Sequence, residues 1–173
     1  MKKNLLWMFA AILFCGVMTT SCGSDDDDNS NPSGDTNIVG MRIAYAVVFH
    51  EGYNTLEDYT ISVTWTNENG KDVTENITTD FAKDVMLKAT QGTNGTFIVK
   101  CTPTNSNKEE HDIGVDFAIT AKPMNSKGEV TDRGSITEAS NYIKKGLSGD
   151  SYKEYTFTKK FQLVDSQIKN IGE

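Results

Sequence analysis

Apolar residues recur at every second position in several stretches of this chain, and that period leaves little room for anything but β-structure. In Tyr59-Ile61-Val63-Trp65 four successive odd positions are apolar, while Thr60, Ser62, Thr64 and Thr66 are polar. A strand points successive side chains to opposite faces and gathers such residues on one side, whereas a helix scatters them. The same alternation runs through Ile113-Val115-Phe117-Ile119-Ala121, and through Tyr155-Phe157 and Phe161-Leu163 with Lys159 as the single break. Met41-Ile43-Tyr45-Val47-Phe49 alternates too, but Ala44, Ala46 and Val48 make its other face apolar, which predicts a strand covered on both sides. Weaker strands are expected at Val73 to Ile77, Val85 to Ala89 and Phe97 to Cys101.

Turn chemistry separates these segments. Asn69-Gly70 reads as a two-residue hairpin turn, whose central positions both need positive φ. Gly92, Asn94 and Gly95 break the next pair, and Asn125-Ser126-Lys127-Gly128 does so after Pro123. About seven short strands at regular spacing predict an all-β fold, two antiparallel sheets packed face to face. This pattern resembles an immunoglobulin-like sandwich without the Cys, Trp and Cys of antibody domains, a resemblance of architecture that does not specify function. The domain is expected over 38–166, with 167–173 as a tail. Ser135-Ile136-Thr137-Glu138 has capping-box spacing, so 135–147 is read either as a short helix in a long connection or as a loop or edge strand with Ile136 inward.

The N-terminus carries a different signal. Lys2 and Lys3 precede ten apolar residues, Leu5 to Phe14, too few to cross a bilayer, which takes about 20. Thr19-Thr20-Ser21 then leads to Cys22, and Asp25-Asp26-Asp27-Asp28 follows. This arrangement resembles the signal peptide of bacterial surface lipoproteins of the Bacteroides type. The resemblance implies cleavage after residue 21, acylation of Cys22 with fatty acids such as palmitate, and an outer-membrane protein exposed at the cell surface. Residues 22–37 supply no apolar residues for a core and read as an acidic, extended tether. Cleavage would remove two lysines and no acids, leaving 15 Lys+Arg against 24 Asp+Glu. So acidic a chain is a poor match for nucleic acid, whose affinity rests on clustered Lys and Arg.

Catalysis finds little support in the residues. His50 and His111 lie in different segments, outside any recognisable nucleophile or metal arrangement. Glu109-Glu110-His111-Asp112 is either a divalent-cation cluster or, more simply, a solvated loop. Ser148-Gly149-Asp150-Ser151 reads as a turn, and the Asn67-to-Asp72 hairpin has oxygen ligands for calcium but lacks the bidentate acid of the twelve-residue loop. No cofactor or metal site is therefore expected. Trp65 is read as a core residue rather than a sugar platform, and Cys101 as a buried thiol. The connection from about Asn125 to Ser151 is the longest, so Tyr142 and Tyr152 are the candidate binding residues. The expected role is a non-catalytic binding or adhesion module, contacting a protein or glycan. An inhibitor or immunity-type partner of a secreted enzyme, or a structural subunit of a surface fibre, are the alternatives.

Overall fold

A computed structural model describes residues 37–90, 92–104 and 107–172. Cys22, the signal segment and the tether as far as Thr36 lie outside the described residues. Nine strands are described: β1 (Ile38–Phe49), β2 (Tyr59–Thr66), β3 (Asp72–Ile77), β4 (Phe81–Lys88), β5 (Asn94–Pro103), β6 (His111–Asn125), β7 (Ile136–Leu147), β8 (Tyr155–Val164) and β9 (Gln167–Gly172). They form two sheets, β4-β1-β6-β7 and β3-β2-β5-β8-β9, in which every pair is antiparallel. The fold is the expected all-β two-sheet sandwich. Immunoglobulin-type sandwiches order their strands A-B-E-D and C-F-G. Here β1, β4, β2, β5 and β8 stand in the places of B, E, C, F and G, while hairpin β6–β7 fills the A side of β1.

The alternation read from the sequence is the wall of the core. Ile61, Val63, Phe97, Val99, Ile113, Val115, Phe117 and Ile119 are all at most 1% exposed, and Trp65 is buried with them. On the outer face of β1, Ala46 and Val48 are buried as well, and Ala44 is partly buried. Cys101 is a free, buried thiol, and burial pushes its pKa up to about 12. Gly95 sits opposite Phe161 in the β5–β8 ladder. A Cβ there would fall 2.2 Å from the Phe161 ring, so only glycine admits that ring to the core.

Of the two readings of 135–147, the structure forms the edge strand with Ile136 inward: β7 pairs with β6 along its outer edge, and Ile136 lies opposite buried Ala121. The one α-helix among the described residues, α1 (Thr55–Asp58), lies instead between β1 and β2. Two other local expectations need correction. Residues 167–172 are not a tail. They pair with β8, bury Ile168, and donate the Ile168 N–H to the Gly134 carbonyl at 2.7 Å. The Asn69-Gly70 turn is a five-residue loop rather than a two-residue one, since Asn67 Oδ1 accepts the Asn69 and Lys71 amides and only Gly70 takes positive φ. The turn with two positive-φ residues is Asp165-Ser166, at 51° and 60°. Side chains make that conformation costly, so Ser166→Gly is expected to raise stability by about 1 kcal/mol, read from the shift in denaturant midpoint.

Edge strands invite pairing with other chains unless something blocks them. Each edge of this sandwich has a polar residue at an inward register position. Lys83 of β4 lies opposite Tyr45, Glu75 of β3 opposite Val63, Glu138 of β7 opposite Ile119, and Asn170 of β9 opposite Phe161. The Lys83 ammonium covers the Trp65 ring at 5.6 Å. Asn170 Nδ2 donates to Glu138 Oε1 at 3.2 Å, linking the edges of the two sheets. Lys83→Val is expected to keep the fold but promote self-association, seen as a concentration-dependent mass in analytical ultracentrifugation.

Candidate functional site

The direction of β1 orients everything that follows. It starts beside Asn125 and runs away from that end, reaching Val115 at Phe49. Residues 67–71, 89–90, 92–93, 126–135 and 165–166 therefore sit at the end where β1 begins, and residues 50–58, 78–80, 104, 107–110 and 148–154 sit at the opposite end. The 125–151 connection expected to hold the site is thus divided. Residues 126–135 lie at the entry end, β7 runs along the edge, and only 148–154 reach the far end.

The far end is organised by one buried carboxylate. Asp58, the last residue of α1, is 1% exposed, and a buried charge needs partners. Its Oδ2 accepts the Asp112 amide at 2.8 Å, and Oδ1 lies 3.0 Å from Lys108 Nζ and 3.2 Å from His111 Nδ1. Burial raises the pKa of this carboxyl, but the Asp112 amide, the Lys108 ammonium and His111 together bring it below the ordinary value. Lys108 is held above its usual value by Glu57, whose Oε2 lies at 2.8 Å, and by Asp58. The His111 ring is 4% exposed and stacks face to face on Tyr152 at 3.5 Å. The Tyr152 hydroxyl reaches the Asp58 carbonyl and the Thr104 carbonyl, the latter at 2.8 Å. Four segments that are distant in sequence, α1, the β5–β6 connection, the start of β6 and the β7–β8 connection, are therefore joined through Asp58.

The β1–β2 connection is fixed beside this hub. His50 donates its amide to the Gly114 carbonyl at 2.9 Å, and Gly114 donates its own to Thr55 Oγ1 at 2.9 Å. Tyr53 lies directly on Gly114, where a Cβ would come within 2.6 Å of its ring. Lys145 Nζ stands 4.6 Å from the centre of the Tyr53 ring, a cation–π contact. His50 Nε2 is 2.9 Å from Asp116 Oδ2.

Both candidate tyrosines pack against the sandwich. Tyr142 stacks on Tyr155 at 4.2 Å, and Tyr152 meets Tyr59 edge-on at 5.2 Å. The structure brings the two together around Tyr59, whose hydroxyl is buried. Burial raises the pKa of that phenol, and the neighbouring Tyr142 and Tyr152 add to the effect. Both candidates remain partly exposed. The Ser148-to-Ser151 segment is a turn with a capping box between Ser148 and Ser151. His111 points into the Asp58 network rather than joining Glu109 and Glu110, and among the described residues no group of three or more His, Cys, Asp or Glu side chains could hold a metal. Asp58, Thr104 and Lys108 carry no signal in the sequence. The partners that Asp58 recruits lie 50 to 54 positions away, and nothing in a stretch such as Leu56-Glu57-Asp58 announces burial.

The two ends differ in charge. Segments 50–58, 78–80, 104–110 and 148–154 hold eight carboxylates and two lysines, whereas 67–71, 89–93, 126–135 and 165–166 hold four carboxylates and three basic residues. In comparisons with known proteins, the chain matches no family model, no curated protein and no solved structure.

Asp58 has a lowered pKa in the folded state, so its contribution to stability is present above the unfolded value of about 4 and is lost as pH falls through the folded value. Asp58→Asn is expected to cost about 2 kcal/mol at neutral pH, as a charged hydrogen-bonded partner is removed from a buried site. Urea unfolding across pH 2 to 7 is the check: the deficit of the variant should shrink on the acid side.

Proposed function

We propose that this protein is a lipid-anchored, extracytoplasmic binding module of the bacterial outer membrane, non-catalytic, presenting the end of its sandwich that lies farthest from the anchor. The observation that carries the reading is the direction of β1. The chain enters from the Cys22 side at Ile38, and the loops organised by Asp58 lie at the other end of that strand. A protein tethered before Ile38 presents this far end outwards. Two or three acyl chains hold a protein at a membrane almost permanently, so the domain needs no membrane-seeking surface of its own. The rigid loop scaffold there, with its exposed acidic rim, suits recognition, because binding residues concentrate on loops held by a stable framework. The same acidity repels polyanions and favours a protein or neutral glycan over nucleic acid.

The fibre-subunit alternative is disfavoured by Lys83, Glu75, Glu138 and Asn170, which blunt the sheet edges that mutual strand exchange would use. The first test is Cys22→Ala. The variant is expected to move from the membrane fraction to the soluble periplasmic or medium fraction and to lose metabolic labelling with palmitate. Unchanged partition would refute the anchor. The soluble variant then serves as bait against cell-surface and culture fractions, where one dominant protein or a polysaccharide, sensitive to substitutions in 104–110 or 148–154, is the expected capture.

A further inference from the structure

Tyr142 of β7 and Tyr155 of β8 face each other across the seam between the two sheets. Their ring centres lie 4.2 Å apart, and the rings are within 10° of parallel. No main-chain ladder joins β7 to β8, which belong to different sheets. Phe117 backs the Tyr155 ring at 6.0 Å, and both tyrosines are partly exposed, so the pair is held in place yet reachable from solvent.

The chain has six tyrosines, and the fold singles out this pair. Tyr45 and Tyr59 are buried. Tyr152 lies flat on His111 at 3.5 Å and meets Tyr59 at 82°, nearly a right angle. Tyr53 lies on Gly114 with the Lys145 ammonium over its ring. Tyr142 and Tyr155 alone are stacked on one another with solvent access to both rings. The competing oxidisable group is Cys101, opposite Tyr155 in the β5–β8 ladder. Burial pushes its pKa up to about 12 and keeps it in the unreactive thiol form.

We propose that Tyr142 and Tyr155 are an oxidative modification site, where a one-electron oxidant of phenols joins the two rings into a dityrosine that staples the sheets together. Each phenol gives one electron to the oxidant and its hydroxyl proton to water, which leaves unpaired density on the ring carbons beside the oxygen. Stacking sets these carbons face to face, and one C–C bond forms between them. The hydrogen on each joined carbon then passes to its own phenolic oxygen and restores both aromatic rings. The sum is two electrons and two protons removed for one bond made. Prior positioning replaces a diffusional encounter, so coupling within the chain outruns coupling between molecules. The new bond closes a ring around residues 148–154 and constrains the unfolded chain as a disulfide does. Nothing in this chemistry requires the lipid anchor or a bound partner.

The test treats the dilute, soluble full chain carrying Cys22→Ala with tris(bipyridine)ruthenium(III), generated by light and persulfate. Dityrosine fluorescence is expected in the monomer. After trypsin, the fragments Gly134–Lys144 and Glu154–Lys159 should appear joined, two hydrogens lighter than their sum; Tyr152 falls in a third fragment, so the pairing is read without ambiguity. The yield of that joined pair should fall by about tenfold when the chain is oxidised in urea, where only proximity is lost. Tyr142→Phe and Tyr155→Phe, which keep the ring and its packing, should each abolish the link, whereas Tyr53→Phe should not. The cross-linked chain should unfold at higher urea than the untreated one. Cross-links confined to dimers, a joined pair containing Tyr53 or Tyr152, a thioether from Cys101 to Tyr155, equal yield in urea, or fluorescence that survives both Phe substitutions would each overturn the assignment.

Discussion

Aromatic rings that cross between the two sheets lock four strands of this sandwich together. Phe117 of β6 stacks on Phe157 at 5.4 Å and on Tyr155 at 6.0 Å, and Phe97 bridges from Phe157 to Tyr45 of β1 at 5.3 Å. Buried aromatic side chains contribute large apolar areas, and here they come from β1, β5, β6 and β8, which occupy interior positions in their sheets. With those strands fixed, β4, β7, β3 and β9 add at the sides, and the far-end loops inherit their positions from the strands they join. The hydroxyl of Tyr45 illustrates how polar atoms are reconciled with such a core. It donates to the Thr66 carbonyl at 3.1 Å, and burial raises its pKa.

At the far end a second kind of interaction takes over, because the loops cannot bury enough apolar surface to order themselves. A single buried carboxylate recruits an amide, an ammonium and an imidazole from elements far apart in sequence, and the Tyr152–His111 stack closes over it. A buried anion lacking these partners would be strongly unfavourable, so the geometry of α1, the β5–β6 connection and the β7–β8 connection is mutually determined. Rigidity of that kind is what recognition requires of a loop surface, since a preordered surface loses less entropy on binding.

Much of the strand content is legible in the sequence because its cause is local. Alternation in Tyr59–Trp65 and Ile113–Ala121 follows directly from the two faces of a strand half-buried in a sandwich, and the burial of Trp65 and Cys101 follows from their phase. The outcomes that local pattern leaves open or misreads fall where a second strand decides. The Ile136–Leu147 segment has helix-compatible spacing, and only the free edge of β6 makes it a strand. Gln167–Gly172 has a single well-buried residue, Ile168, and its strand character comes from β8 and from the Gly134 carbonyl. Tyr142 and Tyr152 read as isolated tyrosines of one long connection. The fold brings them to one aromatic cluster, a proximity that separation along the chain conceals.

The class of fold, the inward face of the principal strands and the acidic balance of the chain are all present in the order of the residues, because each depends on residue type and period alone. Which end of the sandwich lies away from the N-terminal segment is not. Nor is the role of Asp58 as a buried hub rather than a solvated acid. These depend on strand order and register between segments tens of residues apart. Such order is set by how two sheets bury a common core, a property that no local stretch of sequence carries.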